Sequence, residues 1–318
     1  MAARELVVLG SASQVPTRAR NHNGYFLRWD DEGILFDPGE GTQRQMLLAG
    51  VPASSVSRIC ITHLHGDHCL GLPGVLQRMS LDGVSRAIPV AFPASGGPYI
   101  DRLRHASIFD DRLDVRIQPV PVPHSGDVPP VVVTVDGTDR WTLRATPLRH
   151  AVDAVGWRLE EHPDRTMLPE RLADAGIEGP DVGRLQRDGE ISVGGRRVTL
   201  AETSAERRGQ VFAFVMDTAW CEGAVALAEG ADLLVCEATF ASSEAELATA
   251  YGHLTAVEAG RLAAEAGVGL LLLTHFSQRY PDVTPLVEEA ASAFGGEVVA
   301  AEDLRTVTLP ARRTRRNG

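Results

Sequence analysis

Four apolar runs in this chain break off at a residue able to hold a metal ion. Arg58–Thr62 leads straight into His63, and Trp141–Pro147 comes just ahead of His150. Val211–Met216 ends at Asp217, and Leu270–Thr274 ends at His275. Runs this short and this rich in Val, Ile, Leu and Phe read as buried β-strands. A residue at the C-terminal end of such a strand leaves the core where side chains from several strands can converge on one cleft. The repetition points to a layered α/β fold whose donors gather at one sheet edge.

The densest cluster is His63-Leu64-His65-Gly66-Asp67-His68, three imidazoles and a carboxylate within six residues. Imidazole and carboxylate suit zinc and other borderline divalent cations. Without cysteine ligands this is not a zinc finger. The histidine spacing i, i+2, i+5 is not that of two ligands on one helix face. It implies a loop wrapped around metal, with Gly66 supplying the bend. Four donors this close cannot easily bind one ion, so two are expected. A pair of ions about 3.5–4 Å apart suits phosphoryl displacement. On the residues alone, His150 could equally be an ordinary surface histidine, and Asp37 a turn cap before Pro38.

Elsewhere the pattern is coarser. Glu5–Leu9, Tyr25–Trp29 and Ile34–Phe36 read as strands, Gly39 to Ala49 as a helix, and Leu70 to Met79 as a helix interrupted by Pro73. Val131–Val135 and Trp141–Pro147 flank an Asp136-Gly137-Thr138-Asp139 turn. Gly156–Leu159 and Leu233–Cys236 read as further strands, the latter ending at Glu237, and Ala256 to Ala266 as an amphipathic helix. Arg165 to Arg208 has many charges and glycines and little periodicity, which reads as a protruding arm or mobile insertion. Arg312, Arg313, Arg315 and Arg316 form a basic, frayed tail.

H-x-H-x-D-H is the signature of the metallo-β-lactamase superfamily, which the chain resembles here. The resemblance sharpens to the ribonuclease Z family of tRNA 3′-end endonucleases. Phe36-Asp37-Pro38-Gly39-Glu40-Gly41-Thr42-Gln43-Arg44-Gln45 resembles that family's first motif, and Thr274-His275-Phe276-Ser277-Gln278-Arg279-Tyr280 its last metal-binding motif. Arg149-His150 through Gly156-Trp157 resembles the third. The likeness runs from Leu9-Gly10-Ser11 to about Leu304.

It implies a four-layer αβ/βα sandwich over residues 1–318, with an inserted exosite arm at 165–208. It also implies two zinc ions per subunit, manganese being compatible with the same donors. His63, His65 and His150 would hold one ion, Asp67, His68 and His275 the other, and Asp217 would bridge them. Asp67 would accept the proton of the attacking water, and Asp37 would orient a ligand histidine through its ring N–H. Glu237 and His253 resemble a pair specific to the family, in which the histidine, oriented by the glutamate, serves the leaving 3′-oxygen. Met216, Cys236 and Leu254 depart from the family's usual residues beside these groups.

Pro16-Thr17-Arg18-Ala19-Arg20-Asn21 resembles the family's P-x-K-x-R-N loop, so Arg18, Arg20 and Asn21 are candidate RNA contacts. Gly176-Ile177-Glu178-Gly179-Pro180 and the residues after it resemble the Gly-Pro segment of the tRNA exosite. Gly179, Pro180, Arg184 and Arg187 are candidates there, with Arg196, Arg197, Arg207 and Arg208 adding charge. The resemblance further implies a precursor-tRNA substrate and a homodimer.

The formal charge of −11 gives no general attraction to polyanions, so RNA binding would need local patches and cations. Cys60, Cys69, Cys221 and Cys236 form no C-x-x-C pair and read as buried thiols in a reducing cytosol. Met1 to Gly10 is too short for a signal peptide, and no apolar stretch reaches the roughly 20 residues of a membrane span. A cytoplasmic protein is expected. One rival is an enzyme of the same fold acting on a small phosphodiester or ester; the other is a non-catalytic RNA-binding or metal-storage protein built on the same scaffold.

Overall fold

A computed structural model describes residues 4–122 and 132–311. Val131 and the arginines from Arg312 onward lie outside them. The described residues form two compact units, 4–160 with 211–311, and 161–210.

The larger unit holds two seven-stranded sheets. One runs in the order Thr306–Thr308, Glu5–Gly10, Gly24–Trp29, Glu32–Phe36, Arg58–Cys60, Ile88–Pro93, Val115–Val120. The other runs Glu297–Ala300, Leu270–Thr274, Leu233–Glu237, Val211–Val215, Ala154–Glu161, Trp141–Leu148, Val133–Gly137. Strands alternate their side chains between faces, and here both faces are apolar, as expected of sheets covered on both sides.

Three apolar clusters follow from that alternation. Leu6, Val8, Ile34, Phe36, Phe212, Phe214, Val235 and Leu272 meet between the sheets, where the Phe36 and Phe214 rings stack at 4.8 Å. Val7, Leu9 and Leu35 face the other way, toward the helices Thr42–Leu48, Leu72–Leu81 and Gly97–Arg104. Ala213, Val215, Leu234, Leu271 and Leu273 likewise face Glu222–Ala228, Ala256–Glu265 and Thr284–Phe294. Helix, sheet, sheet, helix is the four-layer sandwich the motifs implied.

Local readings needed adjustment. Pro73 does not interrupt a helix; it sits in the first turn of Leu72–Leu81, where its missing N–H costs nothing. Gly66–Cys69 forms a separate helical turn, so the end of the histidine cluster is helical rather than loop. Ile88–Pro93 and Val115–Val120 are further strands, the second too polar to stand out.

Residues 161–210, which hold the segment read as a protruding arm or mobile insertion, carry strands and helices of their own. Asp164–Met167 pairs with Ser204–Arg207, and Glu190–Val193 with Arg196–Thr199. Gly194 and Gly195 take φ of 58° and 83°, the pair of positive values that a tight hairpin turn requires. Leu172, Ile177, Leu185, Ile191 and Val198 form its own small core. Those five residues are spread too thinly for periodicity to reveal them.

Candidate metal centre

Asp37, His63, His150, Asp217 and His275 all follow directly or closely on strands of the larger unit, which is why the fold brings them together. Asp37, Asp217 and His275 have φ of 43°, 23° and 60°. Non-glycine residues rarely adopt such values, and they tend to persist at functional sites.

Hydrogen bonds fix the imidazoles one by one. The buried Asp37 carboxylate accepts from Thr62 N and Thr62 Oγ1, both at 2.7 Å, and from His68 Nδ1 at 2.8 Å. Thr62 Oγ1, its proton committed to Asp37, is 3.1 Å from His63 Nδ1 and can only accept from it. His150 Nδ1 donates to the Gly252 carbonyl at 3.0 Å. Thr239 Oγ1 donates to Glu237 Oε2 at 2.5 Å and accepts from His275 Nδ1 at 2.7 Å. In these four rings the network assigns the proton to Nδ1, so each Nε2 lone pair points into the cleft.

What they point at is Asp217. Its Oδ2 lies 3.5 Å from His63 Nε2 and 3.8 Å from His150 Nε2. Its Oδ1 lies 3.4 Å from His68 Nε2 and 3.1 Å from His275 Nε2. Asp67 Oδ2 is 3.3 Å and 3.5 Å from the same two nitrogens. His65 completes the first set, with Nδ1 at 3.0 Å from His63 Nε2 and 3.4 Å from His150 Nε2. Donors bound at about 2.0–2.1 Å to one tetrahedral cation would lie about 3.3 Å apart. Among the described residues Asp217 Oδ1 and His275 Nε2 are buried and have no hydrogen-bond partner, which is the arrangement a cation would satisfy. Among the described residues three donor groups emerge; Asp217, His253, His275 overlaps the others, and the two that share no residue are His63, His65, His150, Asp217 and Asp67, His68, His275. Asp217 presents one oxygen to each, and the chemistry of both suits a divalent metal.

The electrostatics agree. Burial disfavours the Asp217 carboxylate, but His275, His68 and His63 outweigh it and hold its pKa well below the ordinary range. Asp67 is held down against burial by His68 and His275. Burial drives His63 well down. At His68 burial opposes charge, yet Asp217, Asp67 and Asp37 raise the pKa well above its usual value.

Beside the two sets stands His253, whose Nδ1 lies 2.9 Å from the fully buried Glu237 Oε1. Thr218 N donates to the same oxygen at 2.7 Å. Burial works against charge on His253, but Glu237 and then Asp217 lift its pKa to about 9. The imidazole is therefore protonated at neutral pH, and it lines the same cleft as His65, Asp67, His150, Asp217 and His275.

Comparison with known proteins decides the family. The Metallo-beta-lactamase superfamily model matches residues 17–205. A protein named ribonuclease Z from Streptomyces coelicolor is 57% identical over 314 residues, covering 98% of this chain and 100% of its own. One of the same name from Salinispora arenicola is 55% identical over 313 residues, covering 98% of each chain. The chain belongs to the ribonuclease Z family. The crystal structure of human tRNase Z, short form, superposes with a TM-score of 0.70 at 25% identity, covering 96% of this chain and 100% of that one.

Met216, Cys236 and Leu254 are not among the residues that line the cleft. Met216 is buried between the sheets, and Cys236 and Leu254 are buried against the helices. All four cysteines are free thiols, and burial pushes Cys60 and Cys69 up to about 12. Thr62, Thr239, Thr218 and the Gly252 carbonyl were not singled out from sequence. The only trace of them was their position beside charged motif residues.

The loop candidates divide. Arg18 is exposed. Arg20 donates instead to the carbonyls of Ser277 at 3.3 Å and Tyr280 at 2.7 Å, clamping the loop after His275. Asn21 donates from its side chain to the Glu40 carbonyl at 2.8 Å and from its backbone to Asp303 at 2.7 Å. In the smaller unit, Gly179 takes φ 57° just before Pro180, which opens the helix Pro180–Asp188. Arg184 and Arg187 are exposed on that helix. Arg184 pairs with Asp181 at 3.0 Å, Arg196 with Glu202 at 3.8 Å, and Arg197 with Glu190. Much of the local positive charge is thus already balanced. Among the described residues no helix is long and apolar enough to cross a membrane.

Proposed function

We propose that this chain is the endoribonuclease that removes the 3′ trailer from precursor tRNA, leaving a 3′-hydroxyl on the tRNA and a 5′-phosphate on the trailer. The observation that carries the reading is the division of Asp217, one oxygen toward His63 and His150, the other toward His68 and His275. That division supports two cations, read as zinc, with Asp217 between them. His63, His65 and His150 would hold one; Asp67, His68 and His275 the other. When bound, the cations supply Lewis-acid polarisation of the scissile phosphate. Asp67 takes the proton of the attacking water. His253, charged and held by Glu237, gives a proton to the leaving 3′-oxygen. Asp37 and Thr239 hold His68 and His275 in the ligating tautomer.

Gly179, Pro180, Arg184 and Arg187, within residues 165–208, grip the tRNA body, with Arg18 as a further phosphate contact. The working form is a homodimer in the cytoplasm.

Cleavage of a precursor tRNA transcript, with and without chelator and with product ends mapped, tests the reaction. Chelator-insensitive cleavage, or ends elsewhere than at the mature 3′ boundary, would overturn it. Asp67→Ala should abolish turnover and spare tRNA binding. Deleting residues 165–208 should impair tRNA cleavage while sparing a small phosphodiester; equal loss of both would remove the exosite role. Sedimentation of the intact chain as a monomer would remove the dimer.

A further inference from the structure

Three consecutive residues serve the cleft in different ways. The Gly252 carbonyl accepts from His150, and His253 is held by Glu237. Tyr251, the last residue of the helix Ala245–Tyr251, has no such task, yet it lines the same cleft. It is 59% exposed. Its ring runs nearly parallel to that of Phe240, with centroids 6.5 Å apart and planes inclined by 15°. Phe240 is buried and its ring is 6.0 Å from that of His253.

The support beneath this pair is rigid. Ala256 N donates to the Phe240 carbonyl at 2.9 Å, and Ala241 N donates to the Tyr280 hydroxyl at 2.9 Å. His253 N donates to the Ala248 carbonyl at 2.9 Å, tying the end of the helix to the site. Gly252 takes φ 70°, and a Cβ there would meet His150 Nδ1 at 3.3 Å, so the step from Tyr251 to His253 has little freedom. The Arg279 guanidinium, 5.8 Å from the Phe240 ring centre, adds a cation beside the aromatic pair. The cleft has a volume of about 460 Å³, in the range of sites that take ligands of nucleotide size.

An exposed aromatic ring lining a phosphodiester-cleaving cleft, nearly parallel to a buried aromatic neighbour, matches the way single-stranded nucleic acid is held. Every base offers a π-face, and stacking needs no particular sequence. We propose that Tyr251, backed by Phe240, is the stacking platform for the base of a nucleotide flanking the scissile phosphate. The inference rests on the tRNA reading above. The platform orders the unpaired strand so that its phosphate falls between His253 and the Asp67 set. It is a specificity-determining contact that touches substrate without taking part in bond breaking.

The test uses the intact chain and three precursor tRNAs: one unmodified, one abasic at the nucleotide 5′ of the cleaved bond, and one abasic at the nucleotide 3′ of it. Tyr251→Ala should lower kcat/KM on the unmodified precursor by on the order of 5- to 100-fold. Tyr251→Phe should stay near the parent, because the ring face is kept. Tyr251→Leu, which still covers Phe240 but has no ring, should behave as the alanine variant with unchanged metal content. On one of the two abasic precursors the parent and Tyr251→Ala should become equal. An equal loss on all three precursors, or no loss on the unmodified one, overturns the platform while leaving the tRNA reading intact. A parent chain that fails to cut the unmodified precursor overturns both.

Discussion

Thr239 and His275 are joined by a 2.7 Å hydrogen bond whose direction is set by a third residue. The threonine proton goes to Glu237, so the hydroxyl can only accept from His275 Nδ1. One side chain thereby orients a candidate ligand and braces the carboxylate that charges His253. The two donor sets and the acid–base pair are thus mechanically linked through a residue with no ionisable group.

Replacing Thr239 by valine keeps the shape and removes the hydroxyl. His275 Nδ1 then loses its acceptor, and Glu237 loses a donor. Metal affinity should fall by about 10–100-fold, as for other losses of a partner behind a ligand. Competition against a chromogenic chelator reads this directly; an unchanged affinity would mean that Thr239 only fills space.

Asp217→Asn leaves one carboxamide oxygen where the proposed pair of cations would need two. On that reading metal content per chain should fall to one ion or none, measured by elemental analysis after gel filtration. Two retained ions would show that the bridge is dispensable.

The charge on His253 comes from Glu237. With its pKa at about 9, the protonated form dominates at neutral pH and is lost as pH rises through that value. Glu237→Gln removes the largest opposing charge and leaves burial to favour neutral imidazole. The alkaline limb of the kcat profile should move to lower pH, and activity at pH 8 should fall more than at pH 6. A profile displaced upward, or not at all, would remove His253 as the acid.

Arg20 and Arg184 should respond differently. Arg20 bonds two carbonyls of the loop after His275, so Arg20→Ala should cost about 1–3 kcal/mol of stability and leave the salt dependence of tRNA binding unchanged. Arg184 is exposed in the smaller unit, and Arg184→Ala should spare stability and reduce the salt slope by up to about one. Denaturant melts and filter binding at several salt concentrations separate the two.

Much of the site was legible because its residues sit where apolar strands stop. His63, Asp217 and His275 could be marked from hydropathy alone, and His65, Asp67 and His68 from their crowding. The four-layer sandwich became legible through its motifs. Thr62 and Thr239 stayed silent because an interior threonine has the same sequence signature whether it fills space or directs a proton. Arg20 was read as an RNA contact from the resemblance of its loop, and its carbonyl partners, more than 250 residues away, leave no mark in the sequence. Residues 165–208 looked irregular because a core as small as Leu172, Ile177, Leu185, Ile191 and Val198 leaves no periodic stripe.

Asp37, Asp217 and His275 hold backbone angles that most side chains avoid. Substitutions chosen to raise β-propensity at those three positions would worsen the fit twice over, through strain and through the loss of a metal donor at Asp217 or His275 or of the His68 acceptor at Asp37. Glycine would ease the backbone and erase the same groups. Attempts to make this chain hardier therefore have to leave that edge alone and work on the outer helices, where local comfort and chemical purpose do not compete.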